Sequence, residues 1–154
     1  MKKIISILTL ICLFVALPCN AFAQSEQTTE SNDQSYTTYL DDGSYYVTTV
    51  TESMARSTKT GSKTTIYNDS NGNAQWKVVV TGTFSYTGTS STCTSVSHSV
   101  TIYDDAWYTY SQTSYKSSNK AIAEVTMKKK LLGIVTSTRS VNLTLSCDAN
   151  GNLS

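Results

Sequence analysis

Residues 76–86, WKVVVTGTFSY, decide the fold of this chain. Read two residues at a time, the stretch places large apolar side chains on one side and polar or β-branched side chains on the other. This period of two is that of a β-strand with one buried face, and no helical template fits it as well. We therefore expect the strand to be the centre of the core, its buried face formed by Trp76, Val78, Val80, Gly82, Phe84 and Tyr86.

Segments with the same alternation lie on both sides of this strand, at 63–67, 94–103, 107–115, 121–130 and 141–147. Turn sequences separate them at intervals of about 8 to 15 residues, and no stretch has a helical period. Six strands within 62–154 predict an all-β fold. The expected architecture is a small antiparallel β-sandwich of the immunoglobulin-like kind.

The first 23 residues have the three parts of a signal peptide. Two lysines form a basic start, residues 4–17 are mostly apolar, and the tripeptide AFA at 21–23 is a signal-peptidase site. The apolar run is shorter than the roughly 20 residues of a membrane-spanning helix. We expect cleavage after Ala23, secretion, and no transmembrane segment in the mature chain. Lipid attachment at Cys19 is the alternative, which Pro18 disfavours because the lipoprotein site requires a small residue there.

Export leaves two cysteines in the mature chain, Cys93 and Cys147. An oxidising compartment favours a disulfide between them, which closes a loop of about 55 residues and stabilises the fold by roughly 4 kcal/mol. Without a C-x-x-C spacing, a structural bridge is favoured over a redox pair. Cys93 has the parity of the polar face of its strand, so this pairing requires a bulge or the strand's end to turn it inward.

Charge is distributed unevenly along the chain. Residues 24–53 contain six acids and no base, whereas residues from 54 onward contain ten Lys or Arg against five Asp or Glu. This asymmetry indicates a partner, a self-contact, or simply a means of staying soluble.

The N-terminal part of the mature chain differs from the remainder. We interpret 24–61 as an acidic, largely disordered leader with a Tyr-rich hairpin around Asp42-Gly43, because its first residues lack apolar side chains. Within it, 54–61 is a predicted linker, and 62–154 is the predicted β-sandwich domain. The sequence does not decide whether the hairpin docks on that domain.

Three segments carry a resemblance to known proteins. They are YLDDGSYY at 39–46, SKTTIYNDSNGNAQWKVVVTGTFSYTG at 62–88, which a cysteine follows, and the ending LTLSCDANGNLS at 143–154. Over most of the mature chain, the protein resembles an uncharacterised group of small exported β-domain proteins of Gram-positive gut bacteria. The resemblance implies export and a shared β domain. That group has no assigned activity, so no functional residue is carried over.

No catalytic or metal-binding pattern is apparent. His98 is the only histidine, whereas a zinc site needs three or four ligands and a hydrolase triad needs partners that no motif provides. We expect His98 at the sheet margin or hydrogen-bonded in the core. Neighbouring acids such as Asp104-Asp105 face opposite sides of a strand, unlike the opposed carboxyls of a glycosidase. We expect no enzymatic activity, no cofactor and no metal.

The candidate binding surface is aromatic and basic. If Trp107 faces inward, Tyr108 and Tyr110 face outward, where they suit sugar rings or a partner protein. The alternative is cross-strand pairing that only stabilises the sheet. Beside a predicted hairpin tip at 131–133, Lys128 and Lys130 share one face and Lys129 the other. Such lysines suit anionic surfaces such as teichoic acid or phospholipid, or protect a sheet edge.

These features predict a secreted, non-enzymatic β-sandwich that acts as an extracellular or cell-surface binding module. Cell-wall glycans, host glycans or another protein are the expected partners, and nucleic acid is not. The alternative is a secreted antimicrobial or toxin-like factor in which 24–56 is an acidic pro-region that covers the basic body.

Overall fold

The computed structural model describes residues 34–55 and 57–154, with the side chains of 53–55 excepted. The predicted signal peptide at 1–23, its cleavage site and the polar stretch 24–33 lie outside the described residues.

Eight β-strands form the described chain: β1 Gln34–Tyr39, β2 Tyr45–Ala55, β3 Thr58–Asn68, β4 Ala74–Tyr86, β5 Ser91–Ile102, β6 Trp107–Ser117, β7 Lys120–Leu131 and β8 Ile134–Ser146. They form a five-stranded sheet in the order β1-β2-β3-β4-β5 and a three-stranded sheet in the order β6-β7-β8. Every pairing is antiparallel. The predicted all-β fold is confirmed, and β3 to β8 are the six predicted strands.

The strand order is simpler than that of an immunoglobulin domain. Each strand lies beside its neighbour in sequence, so both sheets are meanders, and the chain passes between them once, at 103–106. Immunoglobulin domains instead have Greek-key connections. The observed likeness to them is therefore limited to two antiparallel sheets.

The strand β4 is the centre of the core, as predicted. Trp76, Val78, Val80 and Phe84 are fully buried, in one cluster with inward residues of β7 and β8. At Gly82, an added Cβ would lie 2.7 Å from the Cβ of Ala121. Two small residues facing each other thus let the two sheets approach closely.

Four aromatic rings close one end of the core: Tyr46, Tyr67, Trp76 and Trp107. Their centroids lie 5.1 to 6.1 Å apart in the contacting pairs. The indole Nε1 of Trp107 donates to Oε1 of Gln75 at 3.2 Å, which satisfies a buried donor. Tyr46 belongs to β2, so the N-terminal strands contribute to the core.

The strands β2 and β3 correct the predicted boundary between leader and domain. They pair from Tyr45 opposite Asn68 to Ala55 opposite Thr58. The predicted linker at 54–61 therefore contains the end of β2 at Ala55 and the start of β3 at Thr58. Its polar residues fit a strand because Lys59 is neutralised inside by an acid of β2, Glu52.

The predicted Tyr-rich hairpin is confirmed and is docked. β1 pairs with β2 around Asp42-Gly43, where Gly43 has a φ of 79°. Val50 of β2 is 3 % exposed, and the Thr48 hydroxyl is bonded to that of Thr65 on β3 at 2.9 Å. The hairpin is thus part of the five-stranded sheet.

The acidic and basic parts of the chain contact each other. Asp42 forms an ion pair with Arg139 of β8, and Glu52 forms one with the buried Lys59. Glu52 also accepts a hydrogen bond from the backbone N–H of Leu153 at 3.3 Å. Of the explanations open for the uneven charge, the self-contact is present in the structure.

The two cysteines of the predicted disulfide are free thiols in the structure. Both are buried, and a bulge turns Cys93 inward as predicted, because Phe84 pairs with Cys93 and Thr83 with Ser95. The thiols contact backbone carbonyls instead of each other. Cys93 Sγ lies 3.2 Å from the Ser95 oxygen, and Cys147 Sγ lies 3.4 Å from that of Asp148.

Candidate functional site

The predicted surface residues meet on the outer face of the three-stranded sheet. Tyr108 on β6 is paired with Lys128 on β7. Lys130 Nζ lies 4.4 Å from the ring centroid of Tyr108, and Lys128 Nζ lies 3.4 Å from that of Tyr110. We call these four residues, Tyr108, Tyr110, Lys128 and Lys130, the Tyr–Lys ladder.

A bulge in β6 sets the position of the second ring. Thr109 pairs with Met127 and Ser111 with Thr126, so Tyr110 is the extra residue of the bulge. Its side chain is 61 % exposed, whereas Trp107 is 4 % exposed on the inner face. Bulges commonly re-aim a side chain in this way. The predicted outward orientation of Tyr110 is confirmed.

The three lysines alternate between faces, as predicted. Lys129 lies on the other side of β7 from Lys128 and Lys130, at the sheet margin, with Nζ 5.9 Å from the ring centroid of Trp107 and 3.1 Å from a carboxylate oxygen of Asp104. The backbone N–H of Ala106 and the Lys129 ammonium together lower the pKa of Asp104. The ammonium of Lys129 is therefore paired with an acid of the same chain, and Lys128 and Lys130 are the lysines of this run that lie on the outer face.

The ladder presents positive charge more than it presents aromatic surface. Among the described residues, neither Lys128 nor Lys130 belongs to one of the three ion pairs. Each ammonium instead lies over a ring, a contact worth about 0.5–1 kcal/mol at exposed sites. A ring face covered by an ammonium is not free to stack on a sugar. The geometry therefore favours an anionic ligand over a neutral glycan.

The same face also carries an acid, Glu124, farther back along β7. Glu124 accepts hydrogen bonds from the Tyr115 hydroxyl at 2.8 Å and from the Asn142 amide at 3.2 Å. The bond to the Glu124 carboxylate raises the pKa of Tyr115. A shallow groove of about 280 Å³ runs beside Glu124 between β7 and β8. The carboxylate of Glu124 is therefore held by neighbouring side chains, four residues before Lys128 on β7.

A strongly exposed apolar turn adjoins the ladder. Residues 131–134, LLGI, are the last residue of β7, the two-residue turn and the first residue of β8, and we call them the hairpin tip. Leu132 is 95 % exposed and has a φ of 51°. A leucine with positive φ is unusual because its Cβ crowds the backbone in the left-handed region. The tip was predicted as a turn, and its exposure is seen only in the structure.

Sequence reasoning missed a cleft between the β1–β2 turn and β8. It has a volume of about 460 Å³ and is lined by Leu40, Asp41, Asp42, Tyr46, Thr138, Arg139 and Ser140. Side-chain and backbone hydrogen bonds from Ser44 lower the pKa of Asp42, which pairs with Arg139 across the cleft. No local signal reveals this site, because its two walls are about a hundred residues apart in sequence.

His98 lies at the margin of the five-stranded sheet, on its edge strand β5, as predicted. It is half-buried, and its Nδ1 is 2.9 Å from the Ser114 hydroxyl oxygen. In the part of the chain that the structure describes, no three His, Cys, Asp or Glu side chains are grouped as metal ligands would be. Over the same residues, no helix is long and apolar enough to cross a bilayer.

Comparison with known proteins does not assign a family: no family model, no curated protein and no solved structure matches the chain. Function is therefore inferred from the geometry of the site.

Proposed function

We propose that the protein is an exported, non-enzymatic binding module that recognises an anionic surface polymer through the Tyr–Lys ladder. One observation carries the proposal: two outward lysines lie over two tyrosine rings, and neither is in an ion pair among the described residues. Positions 1–23, with their signal-peptide pattern, support export. The resemblance to small exported β-domain proteins supports it as well.

The ligand that suits the ladder is a repeating anion on a surface. Phosphate-bearing cell-wall polymers and sulfated host glycans both have this chemistry. Two ammonium groups separated along β7 match a polymer of spaced charges better than a single small anion. Nucleic acid is disfavoured as a ligand. Residues from 24 onward contain ten Lys or Arg against eleven Asp or Glu, so they lack the excess of positive charge that nucleic-acid-binding domains have.

The alternative proposal, a toxin-like factor with a removable pro-region at 24–56, is disfavoured by the position of β2. Cleavage after residue 56 would take away the strand that pairs along the whole of β3. It would also remove Val50 from the core and leave Lys59 buried without its acid.

We further propose that Cys93 and Cys147 pair as the exported chain folds, with an extracellular disulfide as the oxidant. Each thiol gives up one hydrogen as the new S–S bond forms, and the S–S bond of the oxidant breaks to give two thiols that carry those hydrogens. Adjacent carbonyls hold the two backbones: the Cys93 N–H donates to Ser118 O at 2.8 Å and the Cys147 N–H to Asn119 O at 3.1 Å. Burial raises the pKa of both thiols, so oxidation before burial is favoured.

The pairing predicts that protein secreted by its host is two hydrogens lighter than the fully reduced chain. In denaturant, maleimide should label neither cysteine until a reductant is added. A Cys93→Ser variant is the control, because its single remaining thiol should label without reduction. Labelling of both thiols in denatured, unreduced wild-type protein would contradict the pairing.

For the binding proposal, the double variant Lys128→Gln/Lys130→Gln should bind immobilised poly(glycerol phosphate) about 30-fold more weakly. Each lysine near an anionic surface contributes about 1 kcal/mol, which is about fivefold in affinity. Biolayer interferometry at low and high salt measures the effect, and added salt should weaken wild-type binding.

Lys120→Gln is the matched control, since Lys120 lies exposed at the opposite end of β7. Its affinity should equal that of the wild type. Equal affinity of the double variant, or equally strong wild-type binding to neutral dextran, would overturn the proposed function.

A further inference from the structure

We infer that the hairpin tip inserts into the headgroup and upper acyl region of an anionic phospholipid bilayer, with Lys128 and Lys130 on the lipid phosphates. This inference rests on the proposed function, because the same lysines supply the charge. It goes further in naming a bilayer as the anionic surface and residues 131–134 as the part that enters it.

The first observation is a contiguous apolar surface. Leu131 is 64 % exposed, Leu132 95 %, Ile134 69 % and Val135 44 %. Single exposed aliphatic residues are ordinary on a protein, but adjacent ones that form a patch mark an interaction surface. Leu131 and Ile134 are cross-strand partners and Leu132 follows at the turn, so these three side chains form one patch at the tip.

The second observation is the backbone of the turn. Leu132 and Gly133 both have positive φ, 51° and 85°. Two-residue turns with this geometry favour Asn-Gly, since asparagine tolerates the left-handed region and leucine is strained there. Leu132 is also almost fully exposed, so no burial of its side chain offsets the backbone strain within the fold. A strained and exposed leucine is better explained by a contact outside the chain.

The third observation is that the tip projects beyond the sheet. β6 begins at Trp107, opposite Lys129, and the N–H of Lys130 donates to the oxygen of Ala106 at 2.8 Å. β6 provides no partner for Leu131, so the β7–β8 hairpin continues alone for about two residues, or about 7 Å. That length is similar to the 5–10 Å depth reached by interfacial apolar groups.

Charge complementarity selects lipid as the occupant. The outward lysines at 128 and 130 precede the apolar tip, so phosphates would lie beside them when the tip enters hydrocarbon. Of the neighbouring acids on the β5–β6 connection, Asp104 is paired with Lys129, and Asp105 is exposed. A second copy of this chain would instead bring like-charged lysines together, which is unfavourable.

The first test uses a fluorescent reporter at the tip. Trp76 and Trp107 are 0 % and 4 % exposed, so lipid should change their emission little. In a Leu132→Trp variant, vesicles of equal phosphatidylglycerol and phosphatidylcholine should shift the emission of the new indole to shorter wavelength. Brominated acyl chains should quench it. If these vesicles leave the emission wavelength of the Leu132→Trp variant unchanged, the inference is overturned.

The second test removes the apolar side chain without straining the turn. Leu132→Asn should lower partitioning into the same vesicles about tenfold or more in a flotation assay, because one large apolar group is lost from the membrane. Its Tm should stay equal or rise, since asparagine suits the positive φ. Tyr36→Ser, at an exposed position on β1, is the control that should partition as the wild type does.

Binding to soluble poly(glycerol phosphate) separates the two proposals. Leu132→Asn should retain it, whereas Lys128→Gln/Lys130→Gln should lose both polymer and vesicle binding. Wild-type protein that binds the polymer but not the vesicles would overturn the bilayer inference alone. Unchanged vesicle binding by Leu132→Asn would also overturn the bilayer inference alone. Wild-type protein that binds neither the polymer nor the vesicles would overturn both proposals.

Discussion

A chain that begins at Ser57 is expected to remain unfolded, whereas one that begins at Gln24 is expected to fold. The shorter chain lacks β2, which pairs with β3 along its whole length. It loses Val50 and Tyr46 from the core contacts and leaves Lys59 buried without Glu52.

The size of this loss follows from ordinary magnitudes. A buried valine contributes about 1.5–3 kcal/mol, and an uncompensated buried charge costs about 3–5 kcal/mol. With the lost strand pairing and aromatic contacts added, the total is comparable to the 5–15 kcal/mol by which a typical domain is stable. The N-terminal strands are therefore part of the folding unit.

A chain that begins at Leu40 is the matched control. Of the described strands it lacks only β1, whose six residues are all exposed, so it should fold with a moderately lower Tm. Amide chemical-shift dispersion and far-ultraviolet dichroism distinguish the three chains. A well-dispersed spectrum from the chain that begins at Ser57 would show that β2 is dispensable and would revive the pro-region alternative.

Glu52→Gln is expected to lower the free energy of unfolding by about 3 kcal/mol. The side chain of Lys59 is 4 % exposed and that of Glu52 is 17 % exposed. The substitution keeps the shape of residue 52 but removes the negative charge, so a buried ammonium loses its counter-charge. Denaturant unfolding measures the change as a lower midpoint at constant slope.

A double-mutant cycle with Lys59→Met separates the charge pair from general packing. Because methionine carries no charge, Glu52→Gln/Lys59→Met should be more stable than Glu52→Gln alone. Lys129→Gln is the control at a surface pair, since its partner Asp104 is 32 % exposed, and it should cost less than about 1 kcal/mol. Strictly additive effects at 52 and 59 would contradict a coupled buried pair.

The parts of the fold that follow from local period were predictable. Alternation in 76–86 identified the core face of β4, and the same rule placed Tyr108 on the face opposite Trp107, although only the structure shows that Trp107 is the buried one. It also separated Lys129 from the two outward lysines. The need for a bulge at Cys93 followed from parity, because a one-residue shift changes which face a side chain occupies.

Other features depend on contacts that the local sequence does not encode. The stretch 54–61, MARSTKTG, has the composition of a linker, and its local sequence does not reveal that Lys59 is buried in β3 against Glu52. The contacts within the Tyr–Lys ladder depend on strand register, which bulges in β6 and β8 set. The sequence of a Tyr- and Thr-rich strand does not reveal where a bulge lies. The four ladder residues were therefore predictable, but their cross-strand contacts were not.

A ¹⁵N NMR titration of the mature protein with poly(glycerol phosphate) locates the binding surface directly. We expect the largest amide shifts at Tyr108, Tyr110, Lys128 and Lys130, with the amides of β2 unchanged. Shifts concentrated instead around the Asp42–Arg139 cleft, or no shifts at any concentration of polymer, would contradict the claim that this outer face is the binding surface.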